Sequence, residues 1–247
     1  MEIKIGADKL EMAQAAAEMA ADRIKKAIAA NGEARVIFAS AASQLEFIDA
    51  LLRRGDINWE KVAGFHLDEY VGLPETHGAS FRKFLKERLI AKLPNGVKSF
   101  TFVQGDAPDT AAELLRLEAA VREKPIDLAC IGIGENGHIA FNDPPADFEA
   151  KGAYAVVALD EVCRMQQVGE GWYPDLSHVP THAFSMTVPQ IMAAKSIAVI
   201  VPDARKARAV AGAVDGPLSN MCPSSILRKH PDCTLFLDPP AASLLRK

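Results

Sequence analysis

Apolar residues recur at three- and four-residue steps between positions 8 and 30, where Leu10, Met12, Ala16, Met19, Ile24 and Ile28 are separated by charged residues. That period predicts a helix with one buried face, and Asn31-Gly32 supplies its stop. An apolar run at 34–39 has the length of a strand. Helical spacing returns with Leu45, Phe47, Ile48, Leu51 and Leu52. The alternation continues with a strand at 62–65, a helix at 80–90, a strand at 100–103, a helix at 110–122 and a long buried strand at 126–133. Beyond a less regular middle come a strand at 196–201, a helix at 204–214, a strand at 234–237 and a short helix after Pro239-Pro240. Short apolar strands alternating with amphipathic helices predict a mostly parallel sheet covered on both faces. No period of 20–50 residues repeats, and no Gly/Ser- or Pro-rich linker divides the chain, so 1–247 reads as one domain. Residues 144–190, with Pro144-Pro145, Gly169, Gly171, Pro174 and Pro180, read as an irregular loop or lid.

Composition narrows the function classes. The 247 residues are 49% hydrophobic and 24% charged, with a formal net charge of −4. Such a chain buries a sizeable core without disulfides, and it lacks the positive field of a general nucleic-acid binder. No apolar run is long enough to span a bilayer, and the first residues lack the regions of a signal peptide. A cytoplasmic protein with no nucleic-acid or membrane partner is expected; a homo-oligomer stays open. Cys130, Cys163, Cys222 and Cys233 form no C-x-x-C pair and no zinc spacing with the histidines, so no metal site is expected.

Polar clusters follow the strands. Ser40 and Ser43 come after the first, His66, Asp68 and Glu69 after the second, 132–143 after the long buried strand, and Asp203, Arg205 and Lys206 after the strand at 196–201. In an open parallel sheet, ligands bind outside the carboxyl ends of the strands, so these clusters are expected to converge on one crevice. Gly132-Ile133-Gly134-Glu135-Asn136-Gly137 contains G-x-G-x-x-G, but Pro144-Pro145 leaves no room for the helix a dinucleotide site needs. The glycines, Gly137 among them, instead let backbone approach a small ligand while His138 projects into the site. A carboxylate just after an apolar strand is a candidate general base, whereas His66 reads as a packed histidine. Asp203 reads as an N-cap, and the helix start behind it, with Lys206, suits an anion.

Phe65-His66-Leu67-Asp68-Glu69-Tyr70-Val71-Gly72-Leu73, with the stretch from Gly132 through Asn136-Gly137-His138-Ile139-Ala140-Phe141-Asn142-Asp143-Pro144, resembles the two signatures of glucosamine-6-phosphate deaminases (isomerases). The likeness runs in the same order over nearly the whole chain. It implies a three-layer α/β/α, modified Rossmann-type fold with a mostly parallel sheet, and deamination and isomerisation of glucosamine 6-phosphate without a cofactor. By this resemblance Asp68 is the proton-transfer base, His138 opens the sugar ring, and Asn136 and Asp143 are its partners. Lys206 matches the phosphate-binding lysine, and Ser40, Ala41, Ala42 and Ser43 match the phosphate loop. Arg164 lies near the phosphate-contacting arginine, and the partner implied is a phosphorylated hexose or hexosamine. The phosphate loop has no glycine here, Asp143 stands where a glutamate is usual, and 166–172 departs from the pattern. Allosteric activation is not expected, because the basic residues that mark such a site are absent around 153–155. Two alternatives share the scaffold: a 6-phosphogluconolactonase-type hydrolase, opposed by Tyr70 and by Ile139 to Asp143, and a non-catalytic sugar-phosphate sensor.

Overall fold

The computed structural model describes residues 1–246. In chain order its elements are β1 (Glu2–Ile5), α1 (Lys9–Asn31), β2 (Ala34–Phe38), α2 (Leu45–Leu52), β3 (Val62–His66), β4 (Asp68–Tyr70), α3 (Phe81–Arg88), β5 (Ser99–Thr101), α4 (Thr110–Arg122), β6 (Leu128–Ile131), β7 (Tyr154–Ala158), α5 (Glu161–Gly169), β8 (His182–Met186), α6 (Val188–Met192), β9 (Ile197–Val201), α7 (Ala207–Asp215) and β10 (Cys233–Leu237). Seven strands form a parallel sheet in the order β1-β10-β9-β6-β2-β3-β5.

Strand residues alternate between two cores, as the period of two requires. Val36 and Phe38 of β2 join Leu128, Cys130 and Ile200 against α1, α2 and α3. Ile37 joins Ala129, Ile131 and Val199 against α4, α6 and α7 on the other face. This is the expected three-layer arrangement. The buried stripe of α1 is mainly Ala13, Ala16, Ala17, Ala20, Ala21 and Ala27, whereas Leu10 is exposed. Small side chains let this helix lie close to the sheet. Asp8 caps its start, and Gly32, at φ 78°, closes its end through a bond to the Ile28 carbonyl.

Chain order reverses at the centre of the sheet. From β2 the chain adds β3 and then β5 on one side, and it later returns to place β6 on the other. The loops after β2 and β6 therefore flank the topological switch point, where such sheets form a crevice.

Three expectations need correction. The stretch 144–190 is largely regular: it holds β7, α5, β8 and α6, and β7 and β8 join β4 in an antiparallel sheet of order β4-β8-β7. Its prolines and glycines punctuate short elements instead of dissolving them. The chain after Pro239-Pro240 forms turns, not a helix. The helix expected at 204–214 begins as a single tight turn at Ala204–Lys206 before α7. Among the described residues, no helix is long and apolar enough to cross a membrane.

Candidate active site

Four neighbouring strands, β9, β6, β2 and β3, deliver their carboxyl-terminal segments to one pocket. Its walls include residues 40–44, Asp68, Gly132, Gly134, His138, Asp203, Arg205 and Lys206, as the clustering of polar residues predicts.

β4 sorts the acidic pair. Successive side chains of a strand point to opposite faces, so Asp68 faces the pocket while Glu69 turns the other way. Glu69 accepts from Ser80 Oγ at 2.8 Å and from the backbone N–H groups of Arg82 at 2.8 Å and Phe81 at 3.3 Å, which ties down the start of α3. The Asp68 side chain has no protein hydrogen-bond partner among the described residues. Burial, reinforced by the Glu69 charge, pushes its carboxyl well above the usual carboxylate range.

The β6 loop builds a second unit. His138 Nδ1 stands 2.9 Å from Asp143 Oδ1, in contact but off the straight line of a ring N–H bond. Asn136 Nδ2 donates to Asp143 Oδ1 at 2.9 Å and to Asp160 Oδ2 at 3.0 Å, while the Asp160 N–H donates to Asp143 Oδ2 at 3.0 Å. Burial acts to raise the Asp143 carboxyl, but the close His138 imidazole and the bonds from Asn136 and the Asp160 N–H outweigh it and hold it below its ordinary value. His138 lines the pocket, whereas Asp143, Asn136 and Gly137 stand behind it and do not. The two carboxyls are thus pushed apart, Asp68 up at the wall and Asp143 down behind the imidazole, which suits one for proton exchange and the other for permanent charge. Gly134 makes room for the imidazole, because a Cβ there would overlap the His138 ring. Gly137, at φ 88°, makes the turn that presents His138.

Residues 40–44 turn without glycine. Ala41 is extended, at φ −152° and ψ 163°, and Ala42–Gln44 form a tight turn into α2. Positive φ among the described non-glycine residues occurs only at Ala140 and Asp203. Alanine is therefore compatible with this loop. The Ala42 and Ser43 N–H groups find no protein acceptor among the described residues. Ser40 Oγ lies 3.3 Å from His66 Nε2, and the Val103 N–H donates to His66 Nδ1 at 3.3 Å, so Nε2 carries the proton toward Ser40. Burial, helped by the Arg82 charge, lowers His66 to about 3, so it stays neutral and positions Ser40 as a packed histidine.

Lys206 is only 4% exposed and lines the pocket, with Glu135 Oε1 4.0 Å from its Nζ. Its turn starts at Asp203, whose side chain accepts from the Arg205 N–H at 3.0 Å, the expected cap. Asp203 is held at φ 88° by Asp238, both of whose carboxylate oxygens accept from its N–H.

Arg164 is a correction. It does not line the pocket; its guanidinium donates to the Leu176 and Val179 carbonyls at 2.7 and 2.9 Å and so fastens the turn after α5. It is half-buried beside that turn, and the wall of the pocket is supplied instead by Gln166, Gln167 and Glu170. Sequence reasoning also missed Asp160 and Ser185. Asp160 caps α5 through the Cys163 N–H at 2.6 Å, and its place before a helical run was the available signal. Ser185 Oγ accepts from the Phe141 N–H at 3.0 Å, a contact across 44 residues with no local signal. His138, Asp143 and Cys163 offer nitrogen, oxygen and sulfur within 4.8 Å of one another, a set that could hold a cation. Burial, with Asp143 and Asp160 nearby, drives the Cys163 thiol far up, and the Asp143 oxygens already serve N–H donors.

A sequence profile described as glucosamine-6-phosphate isomerases/6-phosphogluconolactonase matches residues 7–236. The glucosamine-6-phosphate deaminase of Listeria monocytogenes serotype 4a (strain HCC23) is 36% identical over 231 residues, which cover 94% of this chain and 96% of that protein. The protein of the same name from Streptococcus pneumoniae (strain Hungary19A-6) is 35% identical over 218 residues, 88% of this chain and 90% of its own. A solved structure of a monomeric glucosamine-6-phosphate deaminase superposes with a TM-score of 0.88 at 29% identity, covering 99% of this chain and 100% of that one.

Proposed function

Because the chain belongs to the glucosamine-6-phosphate isomerase/6-phosphogluconolactonase family, we propose that its pocket converts glucosamine 6-phosphate and water into fructose 6-phosphate and ammonium. One observation carries this reading. A buried carboxylate without a protein partner, Asp68, shares a pocket with His138, which Asp143 backs from behind, and with the buried cation Lys206.

The chemistry follows from the placement. His138, oriented by Asp143 and Asn136, exchanges a proton with the ring oxygen and opens the sugar. Asp68 then takes the proton from C2 and returns it to C1, as a carboxylate with a raised pKa can. The C2 imine that results adds water and releases ammonia. The phosphate is taken up by Lys206, Ser40, Ser43 and the open N–H groups of Ala42 and Ser43, while Gly137 serves the turn that presents His138 instead of touching the sugar. Binding energy gathered at the phosphate holds the reacting carbons in register. The two sheets build this site together, so we read the chain as one catalytic domain acting on a small phosphorylated amino sugar in the cytoplasm. Coupled detection of fructose 6-phosphate and of ammonia from glucosamine 6-phosphate tests the reading. Equal amounts of the two products are expected, and absence of turnover refutes it.

A further inference from the structure

One face of α5 looks into the pocket. Gln167 and Glu170 line it, and Cys163, four residues before Gln167 on the same side of the helix, lies behind the wall. The Cys163 sulfur lies within 4.8 Å of the donor atoms of His138 and Asp143, which places the first turn of α5 beside the ring-opening pair. Glu170 marks the opposite end. It is braced by Gln166 Nε2 at 2.8 Å and Trp172 Nε1 at 3.3 Å. Glu170 and Lys206 both line the pocket. Gln167 lies between these ends, about 5–6 Å beyond Cys163 along the helix.

The two glutamines differ. Gln166 is committed to the protein: its Oε1 accepts from the Glu135 N–H at 3.1 Å, and its Nε2 holds Glu170. Gln167 is 6% exposed and lines the pocket, yet its side-chain amide hydrogen-bonds no described residue. Its amide opens onto the pocket and is committed to no protein group, so it is free to bond what enters, and a ligand that covers it without pairing it forfeits about 1–3 kcal/mol.

We propose that Gln167 is a specificity-determining residue that hydrogen-bonds the hydroxyl groups in the middle of the hexose phosphate, between the carbons handled by Asp68 and His138 and the phosphate at Lys206. This rests on the reading of the reaction given above. An amide presents donors and an acceptor and carries no charge, which suits hydroxyls and not the amine or the phosphate. A site built to bond a hydroxyl discriminates against sugars that lack or misplace it, because its own polar group is then left unpaired. The hydroxyl at C4 is the one in that stretch whose configuration separates glucosamine from galactosamine 6-phosphate.

The test compares kcat and KM for these two sugars in the wild type and in Gln167→Leu, with competitive inhibition by inorganic phosphate as control. The wild type is expected to prefer one C4 epimer. Gln167→Leu is expected to lose about 10–100-fold in kcat/KM for that epimer, to bring the ratio of the two toward one, and to leave phosphate inhibition unchanged. A wild type indifferent to the epimers, a ratio unmoved by the substitution, or phosphate inhibition that weakens in step with KM would each overturn the proposal. Should Gln167→Leu not fold, Gln167→Asn, which keeps the amide one methylene short, reads the same ratio. If the wild type turns over neither sugar, the reaction assignment fails by itself. Calorimetric binding of the two 6-phosphates then decides Gln167, and equal discrimination by wild type and variant overturns its role.

Discussion

Asp68 combines a poor environment for charge with a proposed task, that of base, which needs charge. Burial and the Glu69 carboxylate raise its pKa well above the ordinary value, so the folded protein holds this proton more tightly than the unfolded chain does. The stability that follows is present in full below the unfolded carboxyl pKa, about 3.9, and is lost as pH rises through the higher folded value. At neutral pH the ionised group therefore costs stability. Asp68→Asn is expected to raise Tm at pH 7, the gap to wild type closing as pH falls toward about 4, while turnover drops about 10²–10⁴-fold. A thermal-melt series over pH with parallel assays checks both, and a Tm at pH 7 equal to or below wild type counts against the raised pKa. As a base Asp68 works ionised, so kcat/KM of the wild type is expected to climb with pH through an acid limb set above the ordinary carboxylate range. Asp68 was legible in the sequence because a strand end points at a crevice. Arg164 was misread because only the three-dimensional rotation of α5 decides which of its residues face inward, and Asp160 was missed because its partners Asn136 and Asp143 sit 24 and 17 residues away.

At the scale of elements, the apolar runs that became β2, β3, β6, β9 and β10 were legible because parallel strands buried on both faces are nearly continuous in apolar residues. The antiparallel sheet was not. β4 is three residues long, and β7 carries an alternating pattern half open to solvent, so neither stands out from its loops. That hidden sheet holds the loop after β6 in place: Asn142 Nδ2 donates to the Ile139 and Met186 carbonyls, each at 2.8 Å, and Ser185 Oγ takes the Phe141 N–H. Asn142→Ala removes two hydrogen bonds from carbonyls that keep the residue 142 N–H and Ser185 Oγ as donors, and is expected to cost about 1–3 kcal/mol for the pair. Urea unfolding should show a lower midpoint at an unchanged slope. Gly134→Ala tests the loop from its other side. The added methyl must displace the His138 ring, and a shift of about 1 Å in a reacting group costs about 10² in rate. Its kcat is expected to fall by that order with the circular dichroism spectrum intact, and full activity would show that the imidazole is not held where the reaction needs it.

For the whole molecule, a net charge of −4 argues against an anionic substrate until the charges are placed. Lys9, on the pocket wall, is neutralised by Glu46 at 2.7 Å, and Arg205, half exposed, is turned to Asp203 at 3.2 Å. Lys206 is different: it is buried, and Glu135 approaches no nearer than 4.0 Å. A cation in walls of low polarability attracts a phosphate more strongly than the same charge on the surface, and salt screens it less. In the proposed reaction, attraction for the substrate is therefore a property of one lysine and the backbone turn at residues 42–43, set at the switch point of the sheet, and not of the overall field. Strand order creates that switch point, and no local pattern in the chain encodes it. Lys206→Met keeps the volume and removes the charge. Because the phosphate sits away from the reacting carbons, the loss falls on ground state and transition state alike. KM for glucosamine 6-phosphate is expected to rise about 10–100-fold with kcat changed far less, since a hydrogen bond to a charged group is worth about 1.5–3 kcal/mol. Inhibition by inorganic phosphate should weaken by a similar factor. A variant whose KM stays at the wild-type value would place the phosphate elsewhere, and with it the direction in which the sugar lies across Asp68.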